Sequence, residues 1–142
     1  SLSHNGLTGC GKEYMMRCHQ LEHELSGAYD RIAHGAGLAV IFPAWAKYIF
    51  PYNITRFAQY AVNVWGAPMN FEHPERTAQA GIEATEQYFR SIGMPVRLSE
   101  LDVDDSRFDE MAEKCTFFGK RTLPDYVELG KKEMLDIYRL CL

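Results

Sequence analysis

His19-Gln-Leu-Glu-His23-Glu-Leu-Ser-Gly27-Ala-Tyr-Asp-Arg-Ile-Ala-His34-Gly-Ala-Gly-Leu-Ala39 is the stretch from which the fold is read. Tyr14, Met15 and Cys18 before and at its edge, with Leu21 and Leu25 inside it, recur every three or four positions, the repeat of one helix face. That spacing predicts a helix over Lys12–Ser26, with Gly27 placed to end it. His34 opens a second apolar run reaching Phe50, in which Pro43 is expected to produce a kink or a break. The reading is therefore helix, short loop, helix.

The same pattern continues outward. Asn53 is a good N-cap for a third helix carrying Ile54, Phe57, Ala58, Ala61, Val62 and Trp65, stopped by Gly66. Pro74 suits the first turn of a fourth helix, which runs to about Ile92 with Ala80, Ala84, Tyr88 and Phe89 inside and Gly93 as its stop. Leu98–Val103 is a connector. Asp104 or Asp105 then caps a fifth helix that passes Met111 and ends near Phe117, and Thr122–Asp125 is a turn. Met134, Leu135, Ile137, Tyr138 and Leu140 mark a last helix within Leu129–Cys141. No segment alternates with period two. The fold class is all-α, an irregular helical bundle.

The 142 residues make one domain by length, and an apolar share of 46% is enough for a core. A net charge of −4 without a basic block gives no nucleic-acid footprint. No apolar run is long enough to span a membrane. The four cysteines, Cys10, Cys18, Cys115 and Cys141, form no C-x-x-C pair and read as reduced thiols of a cytoplasmic protein. The chain begins at Ser1, without an initiator Met, within a Gly/Ser-rich segment. It reads as a piece of a longer protein.

Three of the five histidines fall within sixteen positions. His19 and His23, four apart on a helix, put both imidazoles on one face. His34 heads the next helix, and a tight helix pair would bring all three rings together. Neutral imidazole is a common ligand of zinc and iron, so a divalent metal is the natural occupant. Without further ligands the cluster reads equally as an ordinary set of helix-surface histidines. Glu22 and Glu24 lie to either side of the His23 direction and read as a solvated or salt-bridged face. His19-Gln-Leu-Glu22-His23 also fits H-x-x-E-H, a zinc protease signature, but that site needs a third ligand and a sheet that the sequence lacks. Gly6–Lys12 has the G-x-x-x-x-G-K form of a phosphate loop, but Glu13 stands where Ser or Thr would hold Mg²⁺. His4 reads as a surface or interdomain group, and His73 as a helix cap or surface group. Phe42, Trp45, Tyr48, Phe50 and Tyr52 read as core and interdomain packing, some of them an apolar wall for a ligand.

The histidine segment, with Gly35-Ala36-Gly37-Leu38-Ala39 after His34, resembles the metal-binding segment of iron-containing (group III) alcohol dehydrogenases, a dehydroquinate synthase-like group. The butanol dehydrogenase branch is the nearest in pattern. Phe42-Pro43-Ala44-Trp45, Arg56-Phe57-Ala58, Val64-Trp65-Gly66 and Ser91-Ile92-Gly93-Met94-Pro95 are similar to stretches found there in the same order. The resemblance implies that His19 and His34 are metal ligands and that His23, close to substrate and nicotinamide, takes part in proton transfer. His34 follows His19 by fifteen positions, one more than in many relatives, and the loop 28–33 is where an extra residue is tolerated. The implied cofactors are a divalent metal, Fe²⁺ or Zn²⁺, and NADH or NADPH. The implied reaction interconverts primary alcohols and aldehydes. The implied partners are the small-molecule substrate, an N-terminal α/β nucleotide-binding domain that this chain lacks and that supplies an Asp and a His as further ligands, and a second copy in a homodimer. A stand-alone helical metal-binding or interaction module without catalysis is the alternative.

Overall fold

Period-3.6 patterning dominates the chain, and in the computed structural model, which describes residues 17–142, it is realised as six α-helices. These are α1 (Arg17–Ala28), α2 (His34–Ile49), α3 (Ile54–Trp65), α4 (Pro74–Ser91), α5 (Phe108–Cys115) and α6 (Lys131–Arg139), with 3₁₀ turns at 50–52, 98–101 and 105–107. Among the described residues no β-strand forms, and Leu123 and Leu129 make a single isolated bridge. The all-α expectation holds. The part of the first predicted helix before Arg17, His4, Cys10 and the Gly6–Lys12 segment lie outside the described residues.

The helix ends follow local chemistry. Asn53 Oδ1 accepts from the Arg56 N–H at 3.2 Å, the expected N-cap. Gly66 closes α3 in the left-handed conformation, at φ 66°. Asp104 caps the turn leading into α5 by accepting from Ser106 N–H. Two expectations need correcting. Gly27 lies within α1, which runs on to Ala28, where the Arg107 guanidinium donates to the terminal carbonyl. Of the kink or break expected at Pro43, the break does not occur: α2 continues from His34 to Ile49. Pro43 is buried, and the surrounding core holds the helix through the missing N–H.

The core joins α1, α2, α5 and α6 through fully buried Leu21, Leu25, Ile41, Met111, Met134, Ile137 and Tyr138. Each of the leucine, isoleucine and methionine side chains contributes about 1.5–3 kcal/mol relative to exposure. The helices α3 and α4 pack against each other and dock on α2. The α4 core face is Thr77, Ala78, Gly81, Ile82 and Thr85, whereas Ala80 and Tyr88 are exposed and Ala84 and Phe89 half-buried. The expected face is displaced because α3 approaches too closely for large side chains. A Cβ on Gly81 would lie 2.5 Å from Ala61 Cβ.

Candidate metal centre

The spacing of His19 and His23 places both on α1, and the five-residue loop between α1 and α2 delivers His34 as the first residue of α2. The three rings meet. Their centroids are 6.3 Å apart for His19–His23, 5.4 Å for His19–His34 and 5.3 Å for His23–His34. Two imidazoles on one tetrahedral ion at ordinary metal–nitrogen distances have centroids roughly 5 Å apart. His19 is half-buried, while His23 and His34 are exposed, so the cluster opens at the surface of the chain. All three histidines singled out in the sequence are thus in one place.

The loop is pinned from outside. Arg31 donates to the carbonyls of Leu101 (3.1 Å) and Asp102 (2.7 Å), and Tyr29 lies beneath the guanidinium groups of both Arg31 and Arg107. At the start of α1, Arg17 donates to the Pro124 carbonyl at 2.9 Å and pairs with Asp125, which also accepts from the Trp45 indole of α2. These contacts fix the approach of α2 to α1, and with it the position of His34.

The buried side of the cluster is closed by Glu22. Of the solvated or salt-bridged face expected for Glu22, the solvated part does not hold: the residue is completely buried, and its carboxylate is paired with His34 Nδ1 and accepts from the Ser26 hydroxyl. Donor atoms of Glu22, His23 and His34 lie within 4.8 Å of one another. The signal was present, because Glu22 follows Cys18 by four positions and so borders the buried stripe of α1. With both carboxylate oxygens engaged in the interior, Glu22 cannot activate water on the exposed side, which removes the H-x-x-E-H protease reading. Glu24 sits half-buried near His23. Burial pushes its carboxyl above the ordinary value, against the lowering charges of Lys114, Arg121 and His23. Burial also pushes the Cys18 thiol up to about 11, so at neutral pH it stands protonated beside His19.

Three imidazoles meeting in this space suit a divalent transition metal, since nitrogen donors of this type serve both iron and zinc. A cleft of about 360 Å³ adjoins His19, with apolar walls that include Leu38, Phe42, Ile92 and Met94. Of the aromatics noted in the sequence, Phe42 and Trp45 also line a second cleft of about 450 Å³ with Tyr60. His73 occupies the N-cap position of α4 on the surface, near Glu75. No helix among the described residues is long and apolar enough to cross a membrane.

Residues 8–142 match the Fe-containing alcohol dehydrogenase family, C-terminal. The chain is 35% identical over 140 residues to the NADH-dependent butanol dehydrogenase A of Clostridium acetobutylicum, covering 98% of this chain and 36% of that protein. It is 29% identical over 119 residues to the NADPH-dependent aldehyde reductase YqhD of Escherichia coli, covering 84% of this chain and 30% of that protein. The crystal structure of an NADH-dependent butanol dehydrogenase A from Thermotoga maritima superposes with a TM-score of 0.87 at 29% identity, covering 99% of this chain and 36% of that one. The chain thus spans 30–36% of the length of these relatives.

Proposed function

Because the chain belongs to the Fe-containing alcohol dehydrogenase family, we propose that it is the C-terminal, metal-holding domain of an enzyme that interconverts primary alcohols and aldehydes. The observation that carries this reading is the meeting of His19, His23 and His34 at the α1–α2 junction. His19 and His34 hold a divalent ion, Fe²⁺ or Zn²⁺, together with ligands from the N-terminal α/β domain that this reading places ahead of the chain. A bound ion supplies Lewis-acid polarisation of the substrate carbonyl. Relatives named for NADH and for NADPH support a nicotinamide dinucleotide as the hydride source.

The chain's own residues then have distinct tasks. His19 and His34 would hold the ion from two different helices, α1 and α2. His23, exposed beside them, carries the proton that converts the reduced oxygen to a hydroxyl, a task suited to an imidazole near neutral pH. Leu38, Phe42, Ile92 and Met94 form the walls of the apolar cleft next to His19 and exclude water from the alkyl part of the substrate. The same reading includes a cytoplasmic location and a homodimer.

The test uses the full-length protein, loaded anaerobically with Fe²⁺ and separately with Zn²⁺, and follows NADH and NADPH oxidation with butyraldehyde. Metal-dependent turnover that disappears in His34→Ala is the expected result. Turnover indifferent to metal and to His34→Ala would overturn the metal assignment. Failure with every aldehyde and cofactor tried would overturn the proposed reaction.

A further inference from the structure

Among the described residues Glu22 is the one charged residue that is buried as a whole, and its surroundings are built around it. One carboxylate oxygen meets His34 Nδ1 and the other accepts from the Ser26 hydroxyl one turn further along α1. Across the helix interface, Gly37 of α2 has no side chain at the point where the carboxylate lies. A Cβ there would stand 2.8 Å from Glu22 Cγ. A buried carboxylate with an exposed partner ring is costly for a fold unless it is hydrogen-bonded on both oxygens, and here it is.

With Nδ1 engaged by a carboxylate, the imidazole of His34 is held in the tautomer that carries its proton on Nδ1. Nε2 then remains as the free electron-pair donor. Such a contact fixes the ring's orientation and raises its strength as a ligand. We infer that Glu22, clamped by Ser26 and admitted by Gly37, is a positioning residue that orients and polarises His34 for metal binding without itself ligating the ion. The inference rests on the proposed role of His34.

The test uses the full-length protein and Zn²⁺, with affinity read by competition against a chromophoric chelator, and Co²⁺ as a spectroscopic probe. Glu22→Gln keeps the volume and removes the charge. It is expected to weaken Zn²⁺ binding on the order of 10–100-fold while the thermal midpoint of the metal-free protein changes little. The Co²⁺ ligand-field bands are expected to keep their wild-type positions, because no ligand is lost. Ser26→Ala, which leaves Glu22 charged but frees one oxygen, is expected to weaken binding in the same direction by less, and serves as the test if Glu22→Gln does not fold. Unchanged Zn²⁺ affinity in these variants, alongside weakened binding in His34→Ala, would overturn the positioning role alone. Unchanged affinity in His34→Ala would overturn the underlying metal reading as well. A shift of the Co²⁺ bands in Glu22→Gln would make Glu22 a ligand and overturn the inference in its stated form.

Discussion

The Tyr138 hydroxyl donates to the Leu21 carbonyl at 2.9 Å inside the core, tying α6 to the turn of α1 that lies between His19 and His23. The site helix is therefore anchored by a residue 117 positions away. Tyr138→Phe keeps the ring and its packing and removes the bond. We expect a loss of about 1 kcal/mol, seen as a lower urea midpoint with an unchanged slope. Wild-type stability in the variant would show that the bond contributes nothing net.

Gly81 and Gly27 separate space from propensity. At Gly81 an added Cβ would meet Ala61 Cβ at 2.5 Å and Ala61 Cα at 2.7 Å, and the backbone atom cannot rotate aside. Overpacking of about 1–3 kcal/mol outweighs the helix-propensity gain of at most about 1 kcal/mol, so Gly81→Ala should lower the melting temperature. At Gly27, inside α1, nothing lies within 4 Å of the added Cβ. Gly27→Ala should stabilise by about 0.5–1 kcal/mol. Thermal denaturation of the two variants should give opposite signs, and a raised melting temperature for Gly81→Ala would refute the close α3–α4 contact.

Glu86 accepts from Lys47 at 2.6 Å and from Arg97 at 2.7 Å, joining α4 to α2 and to the segment before Leu98. Burial pushes its carboxyl up, but the two hydrogen bonds and the positive charges outweigh it and hold it below the ordinary 4.5. A depressed carboxyl stabilises the fold fully above its unfolded value and loses that contribution as pH falls through the folded one. Glu86→Gln should therefore flatten the stability–pH curve below about pH 4.5. An acid limb as steep as that of the wild type would assign the dependence to other groups.

His23 and His34 should divide under mutation. His34→Ala is expected to lose metal and turnover together. His23→Ala is expected to keep metal content near wild type while kcat falls by about 10²–10⁴-fold, the usual contribution of a positioned acid or base. Metal analysis and turnover on the same samples decide it. Loss of metal in His23→Ala would make His23 a ligand rather than a proton carrier.

Much of this arrangement was legible beforehand. Asn53, Gly66, Pro74 and Gly93 act through their own backbones and nearest neighbours, so the ends of α3 and α4 could be placed from local chemistry. The inward face of α4 could not. An apolar count favours Tyr88 and Phe89, but the surface available on α3 admits only the small residues around Gly81. The burial of Glu22 is hidden from the sequence for a related reason. A glutamate beside two histidines looks solvent-facing until its partners, Ser26 on the same helix and His34 on the next, are both in view.

The sequence by itself determined the helices and the placement of His19 and His23 on one face, because a repeat of 3.6 residues is a property of the local backbone. It also held the family likeness that pointed to His34. The tertiary structure alone decided that His34 closes on the other two rings and that Glu22 turns inward to meet it. Both depend on how closely α2 lies against α1. That distance is set by contacts between residues far apart in the chain, among them Arg31 with Leu101 and Asp125 with both Arg17 and Trp45, and by the missing side chain of Gly37.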